Sequence, residues 1–181
     1  MEQNFFSLEP ESPGDWGGHT RFINYEEILA RKEYRRKLED IEIVFDFMPK
    51  DDLIICGECY LASDKLKEGI QSAKLTGALF EKVDLSISEI FVGYYPGVET
   101  PKNYSLLVPQ GEMRFANVHT PTSWSGHDFS LPFYPDLDLS KGGPLNIIHY
   151  LIVSEEAYQV IKSFKFDNWN SVKRILNVGP L

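Results

Sequence analysis

Residues 150–169 read YLIVSEEAYQVIKSFKFDNW, an apolar run of β type followed by a serine and a short amphipathic helix pattern. Residues 60–80 read YLASDKLKEGIQSAKLTGALF, in which Ser63 takes the place that Ser154 has in the later stretch. Serine is a preferred helix N-cap because its side chain accepts a hydrogen bond from a free amide of the first turn. The sequence therefore predicts a unit of strand, serine cap and helix that occurs twice.

The apolar residues that follow the two serines keep the same spacing. When the serines are aligned, Leu66 falls over Ala157 and Ile70 falls over Ile161. Residues four apart lie on one face of a helix. We therefore expect these four side chains to face the core.

Strand patterns outnumber helix patterns in the rest of the chain. Residues 41–47 alternate between apolar and other side chains, which is typical of a half-buried strand, and residues 87–95 also read as a strand. Residues 25–38 read as an exposed helix. This order of elements predicts an α+β fold with a mostly antiparallel sheet and two or three short helices. Residues 1–20 read as an irregular arm rich in Pro, Gly and acids, and residues 21–181 as a single α+β domain.

Charge and composition exclude several classes of partner. The 181 residues carry 18 Lys and Arg against 27 Asp and Glu, for a formal net charge of −9. Such a balance disfavours nucleic acids and anionic membranes, which bind basic surfaces, and it favours a basic protein partner. The first residues show no basic stretch followed by an apolar one, and no apolar run is long enough to cross a bilayer. We therefore expect a cytoplasmic protein.

Cys56 and Cys59 are the two cysteines of the chain and form a C-x-x-C motif. Two thiolates at this spacing can hold one edge of a zinc site, but the second pair is absent and the four histidines are scattered. A redox motif would be expected at a helix N-terminus, whereas here three residues separate Cys59 from the serine cap. We favour ordinary half-buried thiols and keep metal binding and redox chemistry as alternatives.

No complete catalytic constellation is visible. His127 and Asp128 follow Ser125 within WSGHDF at residues 124–129, but members of a triad normally come from separate segments. Walker-type glycine loops, G-x-S-x-G elbows and H-E-x-x-H helices are absent from the sequence. We therefore expect no catalytic residue, no metal ligand and no cofactor.

Several stretches together are similar to the immunity proteins of bacterial polymorphic-toxin systems. They are LTGALFEKV at residues 75–83, WSGHDF at residues 124–129 and LIVSEEAYQVIK at residues 151–162. The chain most resembles the myxobacterial-type group that is named for a double CXXCG motif. It departs from that group in having one C-x-x-C pair, followed by Tyr60 in place of glycine.

The resemblance implies a protein without enzymatic activity that binds and neutralises a cognate toxin. The expected contacts come from the loop at residues 120–144, which combines aromatic side chains with acids. Partner-binding residues expected there are Phe133, Tyr134, Asp136 and Asp138. The alternative function is that of a small redox or metal-dependent protein that uses Cys56 and Cys59.

We predict that the purified protein holds no stoichiometric metal at its cysteine pair, because the sequence supplies two thiols and no further ligands at metal-binding spacing. Elemental analysis of the protein, purified without chelators or a metal-affinity tag, measures this directly. A content of about one zinc per chain would overturn the prediction and would direct attention to the histidines.

Overall fold

The computed structural model describes residues 5–22, 38–57, 59–109, 111–113, 139–142, 151–167 and 173–175. The strands in these residues are β1 (Phe5–Leu8), β2 (Glu11–Trp16), β3 (Arg21–Phe22), β4 (Leu38–Glu39), β5 (Glu42–Phe45), β6 (Leu53–Cys56), β7 (Cys59–Ser63), β8 (Ala78–Glu81), β9 (Asp84–Ile87), β10 (Tyr104–Pro109), β11 (Gly111–Met113), β12 (Leu139–Gly142), β13 (Leu151–Ser154) and β14 (Lys173–Ile175). The helices are α1 (Asp64–Ser72), α2 (Glu89–Tyr94) and α3 (Glu155–Ile161).

Most strands belong to two sheets. A seven-stranded sheet has the order β8-β10-β7-β6-β2-β5-β9, and a five-stranded sheet has the order β11-β12-β13-β1-β14. Within the described residues, the pairs β2–β6, β5–β9 and β11–β12 are parallel and the other neighbours are antiparallel. The predicted α+β fold with a mainly antiparallel sheet is therefore confirmed.

The duplicated unit of strand, serine cap and helix is present in both places. Ser63 ends β7 and caps α1, its side chain accepting a hydrogen bond from the amide of Leu66 at 3.2 Å. Ser154 ends β13 and caps α3, accepting from the amide of Ala157 at 3.1 Å. Each cap satisfies an amide that the helix itself leaves free. The unit from β7 to α1 belongs to the larger sheet, and the unit from β13 to α3 belongs to the smaller one.

The two helices share a core with both sheets. The inward positions predicted from the sequence are fully buried, and α1 and α3 contact each other. The ring of Phe6 on β1 stacks on Tyr158 of α3, with the ring centroids 4.1 Å apart. The buried members of this core are Leu8, Leu53, Ile55, Tyr60, Ala62, Leu66, Ile70, Leu107, Leu151, Val153, Ala157, Ile161 and Phe166. The helices thus join the two sheets through one continuous apolar cluster.

A second core covers the opposite face of the seven-stranded sheet. Side chains alternate between the faces along a strand, so Ile54 and Leu61 point away from the first core. Ile43 and Phe45 of β5 join them, as the alternation over residues 41–47 predicts. The same alternation predicts Phe47 on this face, but β5 ends at Phe45 and Phe47 is 46% exposed. Phe91 of α2 is also fully buried in this core.

Two expectations from the sequence differ from the structure. Residues 5–16 lie in the stretch that reads as an irregular arm, yet they form β1 and β2, which occupy interior positions in the two sheets. Pro13 and Gly14 interrupt the alternation of apolar and polar side chains by which β2 could be recognised in the sequence. A Cβ atom at Gly14 would lie 2.2 Å from the carbonyl oxygen of Val44, so glycine permits this close approach of β2 to β5.

The strand predicted over residues 87–95 is wrong, since residues 89–94 form α2. The Ser88 side chain caps this helix by accepting a hydrogen bond from the amide of Phe91 at 3.2 Å. The stretch is rich in β-branched and aromatic residues, which favour strands, and here the cap and the burial of Phe91 override that preference. Residues 25–37 of the predicted exposed helix lie outside the described residues, while Leu38 is in β4.

We expect Ile161→Asp to lower the free energy of unfolding by roughly 3 kcal/mol or more, because it places an unpaired charge in the shared core. Gln159→Asp is the matched control, since Gln159 is exposed on the same helix. Urea unfolding of both variants measures the difference. Equal midpoints for the two variants would show that α3 does not pack through Ile161.

Candidate protein-binding surface

The C-x-x-C motif lies at the turn of the hairpin formed by β6 and β7. Cys56 and Cys59 are register partners at the end of this antiparallel pair. Gly57, between them, has a φ of +56°, a left-handed conformation that glycine adopts without strain. The sequence spacing therefore corresponds to a tight hairpin turn.

Both cysteines are buried in the second core, more deeply than the half-buried thiols expected from the sequence, with exposed fractions of 0% and 5% and no disulfide between them. Burial, reinforced by the neighbouring Cys59 thiol and the Asp15 carboxylate, raises the pKa of Cys56 far above its ordinary value. The thiolate is the form that attacks disulfides and binds metals, so this environment suppresses both reactions at Cys56. In the part of the chain that the structure describes, no three His, Cys, Asp or Glu side chains are grouped as a metal site would require.

The residues expected to bind the partner cannot be placed. Phe133, Tyr134, Asp136 and Asp138 all lie outside the described residues, as do residues 124–129 with the His-Asp pair. The structure describes only the backbone of β12 near the end of that loop. The contribution of the loop stays a prediction.

Asp52, between β5 and β6, connects α1 to the segment after α3. Its Oδ1 accepts a hydrogen bond from the hydroxyl of Ser63, the residue that caps α1. Its Oδ2 accepts from the amide of Lys165 at 2.9 Å, while its own amide donates to the Lys165 carbonyl at 2.7 Å. These hydrogen bonds tie the N-terminus of α1 to the segment after α3, so the role of Asp52 is structural.

The neighbouring Asp51 is buried, with an exposed fraction of 1%. Its Oδ1 accepts from the amide of Asp167 at 2.9 Å, and its carbonyl accepts from the hydroxyl of Tyr104 at 2.7 Å. Its Oδ2 is buried without a hydrogen-bond partner. Burial raises the pKa of Asp51 from 3.8 to about 6, the hydrogen bond from Asp167 partly opposes this, and the nearby carboxylate of Glu11 adds to it.

Helix α2 presents apolar side chains to solvent. Ile90 and Tyr94 are four residues apart and therefore share one face of the helix, with exposed fractions of 52% and 68%. The ring of Phe47 lies beside Tyr94, with centroids 5.7 Å apart, and is itself 46% exposed. We call Phe47, Ile90 and Tyr94 the α2 patch. Contiguous exposed apolar side chains of this kind mark interaction sites more often than isolated ones do.

Aromatic contacts hold the α2 patch in place from below. Phe91, fully buried, packs against Tyr95 with ring centroids 4.9 Å apart, and Tyr95 lies 6.3 Å from Tyr94. A row of rings therefore runs from the second core through Tyr94 to Phe47 at the surface. An aromatic side chain fixed in this way loses little conformational freedom when a partner covers it.

Acids adjoin the α2 patch in the sequence. Glu89 directly precedes Ile90, and Glu99 follows Tyr94 by five residues. Asp46 precedes Phe47 directly. Glu89 and Glu99 are exposed. Two of the three residues of the α2 patch therefore have an acid as their immediate neighbour in the sequence.

A cleft of about 420 Å³ lies elsewhere on the molecule and has a different character. Lysines from three segments line it, namely Lys67 of α1, Lys82 after β8 and Lys102 before β10. The Lys67 amine donates to the Ser105 hydroxyl at 3.3 Å and lies 5.9 Å from the centre of the Phe80 ring. Asp64 and Glu81 line the same cleft and offset part of this positive charge.

Sequence reasoning missed the α2 patch because it assigned residues 87–95 to a strand. In a strand, Ile90 and Tyr94 would share a face with Val92, and Phe91 would lie on the other face. The signal that could have identified the helix is Ser88, a third serine that is followed directly by an acid, as Ser63 and Ser154 are.

No protein-family model matches this chain, and no curated protein matches it either. No helix among the described residues has the length and apolar character that crossing a membrane requires.

We expect Asp51→Asn to become more stable relative to the wild type as the pH rises from about 4 to about 6, where the pKa of Asp51 lies. The folded protein binds this proton more tightly than the unfolded chain does, so ionising the buried carboxylate costs stability across that interval. Below it, both states are protonated and the cost disappears. Thermal unfolding of both proteins from pH 4 to pH 7 measures the change.

Glu68→Gln, at an exposed position on α1, is the control for removing a carboxylate. Its difference in melting temperature from the wild type should change little over the same pH range. A pH-independent difference for Asp51→Asn would contradict the assignment of a raised pKa to this buried group.

Proposed function

We propose that this chain is a cytoplasmic immunity protein that binds a cognate bacterial toxin stoichiometrically and neutralises it without catalysis of its own. The proposal begins from the resemblance of residues 75–83, 124–129 and 151–162 to immunity proteins of polymorphic-toxin systems. Binding of this kind needs an exposed surface with a few well-placed anchors, and it needs no reactive group.

The observation that carries the proposal is the α2 patch. Three large apolar side chains are about half exposed or more, and the ring of Tyr94 is supported by rings that reach the buried core. Tyrosine is enriched among the residues that dominate the affinity of protein interfaces. Exposed aromatic and apolar side chains with acids next to them in the sequence support recognition of a protein whose contact surface is basic and partly apolar.

The redox or metal-dependent alternative depends on Cys56 and Cys59. Both are buried, and burial raises the pKa of Cys56 so that the reactive thiolate is disfavoured. Immunity is therefore the better-supported of the two proposals.

The net charge of −9 adds a kinetic argument. Opposite charge on a partner accelerates the encounter of two proteins, and this acceleration falls as the ionic strength rises. An inhibitor that must capture a toxin before the toxin reaches its target benefits from fast association.

The test is to co-express this chain with a toxin domain encoded by a neighbouring gene and to measure survival, together with binding of the purified proteins. We expect Ile90→Asp/Tyr94→Asp to weaken binding by about tenfold or more, because it places two charges at an apolar contact and removes the central ring. Leu79→Asp is the matched control, since Leu79 is 51% exposed on β8 and lies outside the α2 patch.

Thermal unfolding establishes that the variants are folded before binding is compared. Wild-type affinity in the folded Ile90→Asp/Tyr94→Asp variant would move the interface away from α2, and Phe133, Tyr134, Asp136 and Asp138 would then be tested by the same assay. If the wild-type protein binds no neighbouring gene product, the proposal of immunity fails.

A further inference from the structure

The α2 patch combines two features that together select one kind of side chain. Phe47 and Tyr94 are exposed aromatic side chains, and the planes of their rings are inclined at 44° to each other. Asp46 directly precedes Phe47 and Glu89 directly precedes Ile90, while Glu89 and Glu99 are exposed. A purely apolar partner would leave these acids without compensation, whereas a partner with cations would use both the rings and the carboxylates.

Arginine fits this surface better than lysine. The guanidinium group is planar, weakly hydrated and able to stack on an aromatic face while its remaining N–H groups donate to a carboxylate. An ammonium group is compact and strongly hydrated, so it loses more on leaving water and cannot stack. Tyr94, the most exposed of these rings at 68%, is the natural platform.

We infer that the α2 patch recognises arginine side chains of a basic protein partner, with Tyr94 stacking on a guanidinium group and Glu89 or Glu99 pairing with it. The inference rests on the proposed function and adds the chemistry by which that partner is selected. Phe47 and Ile90 cover the aliphatic part of the arginine side chain and exclude water from its charge.

The experiment uses the full chain and two short fluorescein-labelled peptides, one of alternating Arg and Ala and one of alternating Lys and Ala, matched in length and charge. Fluorescence anisotropy at low ionic strength gives both dissociation constants. We expect the arginine peptide to bind the wild-type protein about two- to fivefold more tightly than the lysine peptide, the range that exposed cation–π contacts provide.

Substitutions then locate the preference. Tyr94→Leu keeps an apolar side chain and should abolish the preference, while Tyr94→Phe keeps a ring and should retain it. The double variant Glu89→Gln/Glu99→Gln should bind both peptides less tightly than the wild-type protein does, and its binding should depend less on salt. Because Tyr94, Glu89 and Glu99 are exposed, we expect all of these variants to fold, and thermal unfolding checks this.

Equal affinity of the wild-type protein for the two peptides would overturn the inference, as would an arginine preference that survives in Tyr94→Leu. Both results leave neutralisation of a toxin intact, because the co-expression test does not depend on which side chain the patch selects. Conversely, a Tyr94-dependent arginine preference without any toxin partner would support the recognition chemistry and remove the proposed function.

Discussion

The hydrogen bonds of Asp52 fix how the two helix-bearing units meet. One carboxylate oxygen holds the serine that caps α1, and the other holds the backbone just after α3. Apolar burial between α1 and α3 supplies most of the favourable free energy, but burial alone has little directional preference. Hydrogen bonds with defined donors and acceptors select one arrangement of the helices from many that would bury a similar area. These hydrogen bonds act together with the apolar core that the two sheets share, and each sheet carries one of the helices.

Local hydrogen-bond chemistry explains which parts of the fold could be predicted. Ser63 and Ser154 precede sequences with helical spacing, so the cap and the periodicity agree and both helices are recognisable. Ser88 precedes a stretch whose composition favours a strand, and the helix there depends on the buried position of Phe91, which is a tertiary effect. The N-terminal strands depend on partners far away in the sequence, and Pro13 and Gly14 remove the alternation that would have revealed β2.

The candidate surface was less predictable than the fold for the same reason. Exposure of Ile90 and Tyr94 follows from the helical turn between them, which composition does not encode. The two cysteines show the opposite situation, in which a conspicuous motif marks a structural turn. Their spacing suits metal or redox chemistry, whereas the hairpin directs both thiols into the second core. Burial decides whether cysteines at this spacing are reactive or structural, and burial is a property of the whole fold.

The position of β1 has a consequence for how the chain is made. Residues 5–8 pair with residues 151–154 on one side and with residues 173–175 on the other. Because synthesis proceeds from the N-terminus, this strand leaves the ribosome long before either neighbour exists, and the five-stranded sheet can form only after Ile175 has emerged. Until then β1 has two open edges, which are the features by which strands join other chains. Contacts between residues that are far apart in the sequence also slow folding, because a long loop must close before each contact can form. Completion of the five-stranded sheet is therefore coupled to the synthesis of β13 and β14, and a nascent chain that stops before them would expose β1 to chaperones or to its own copies.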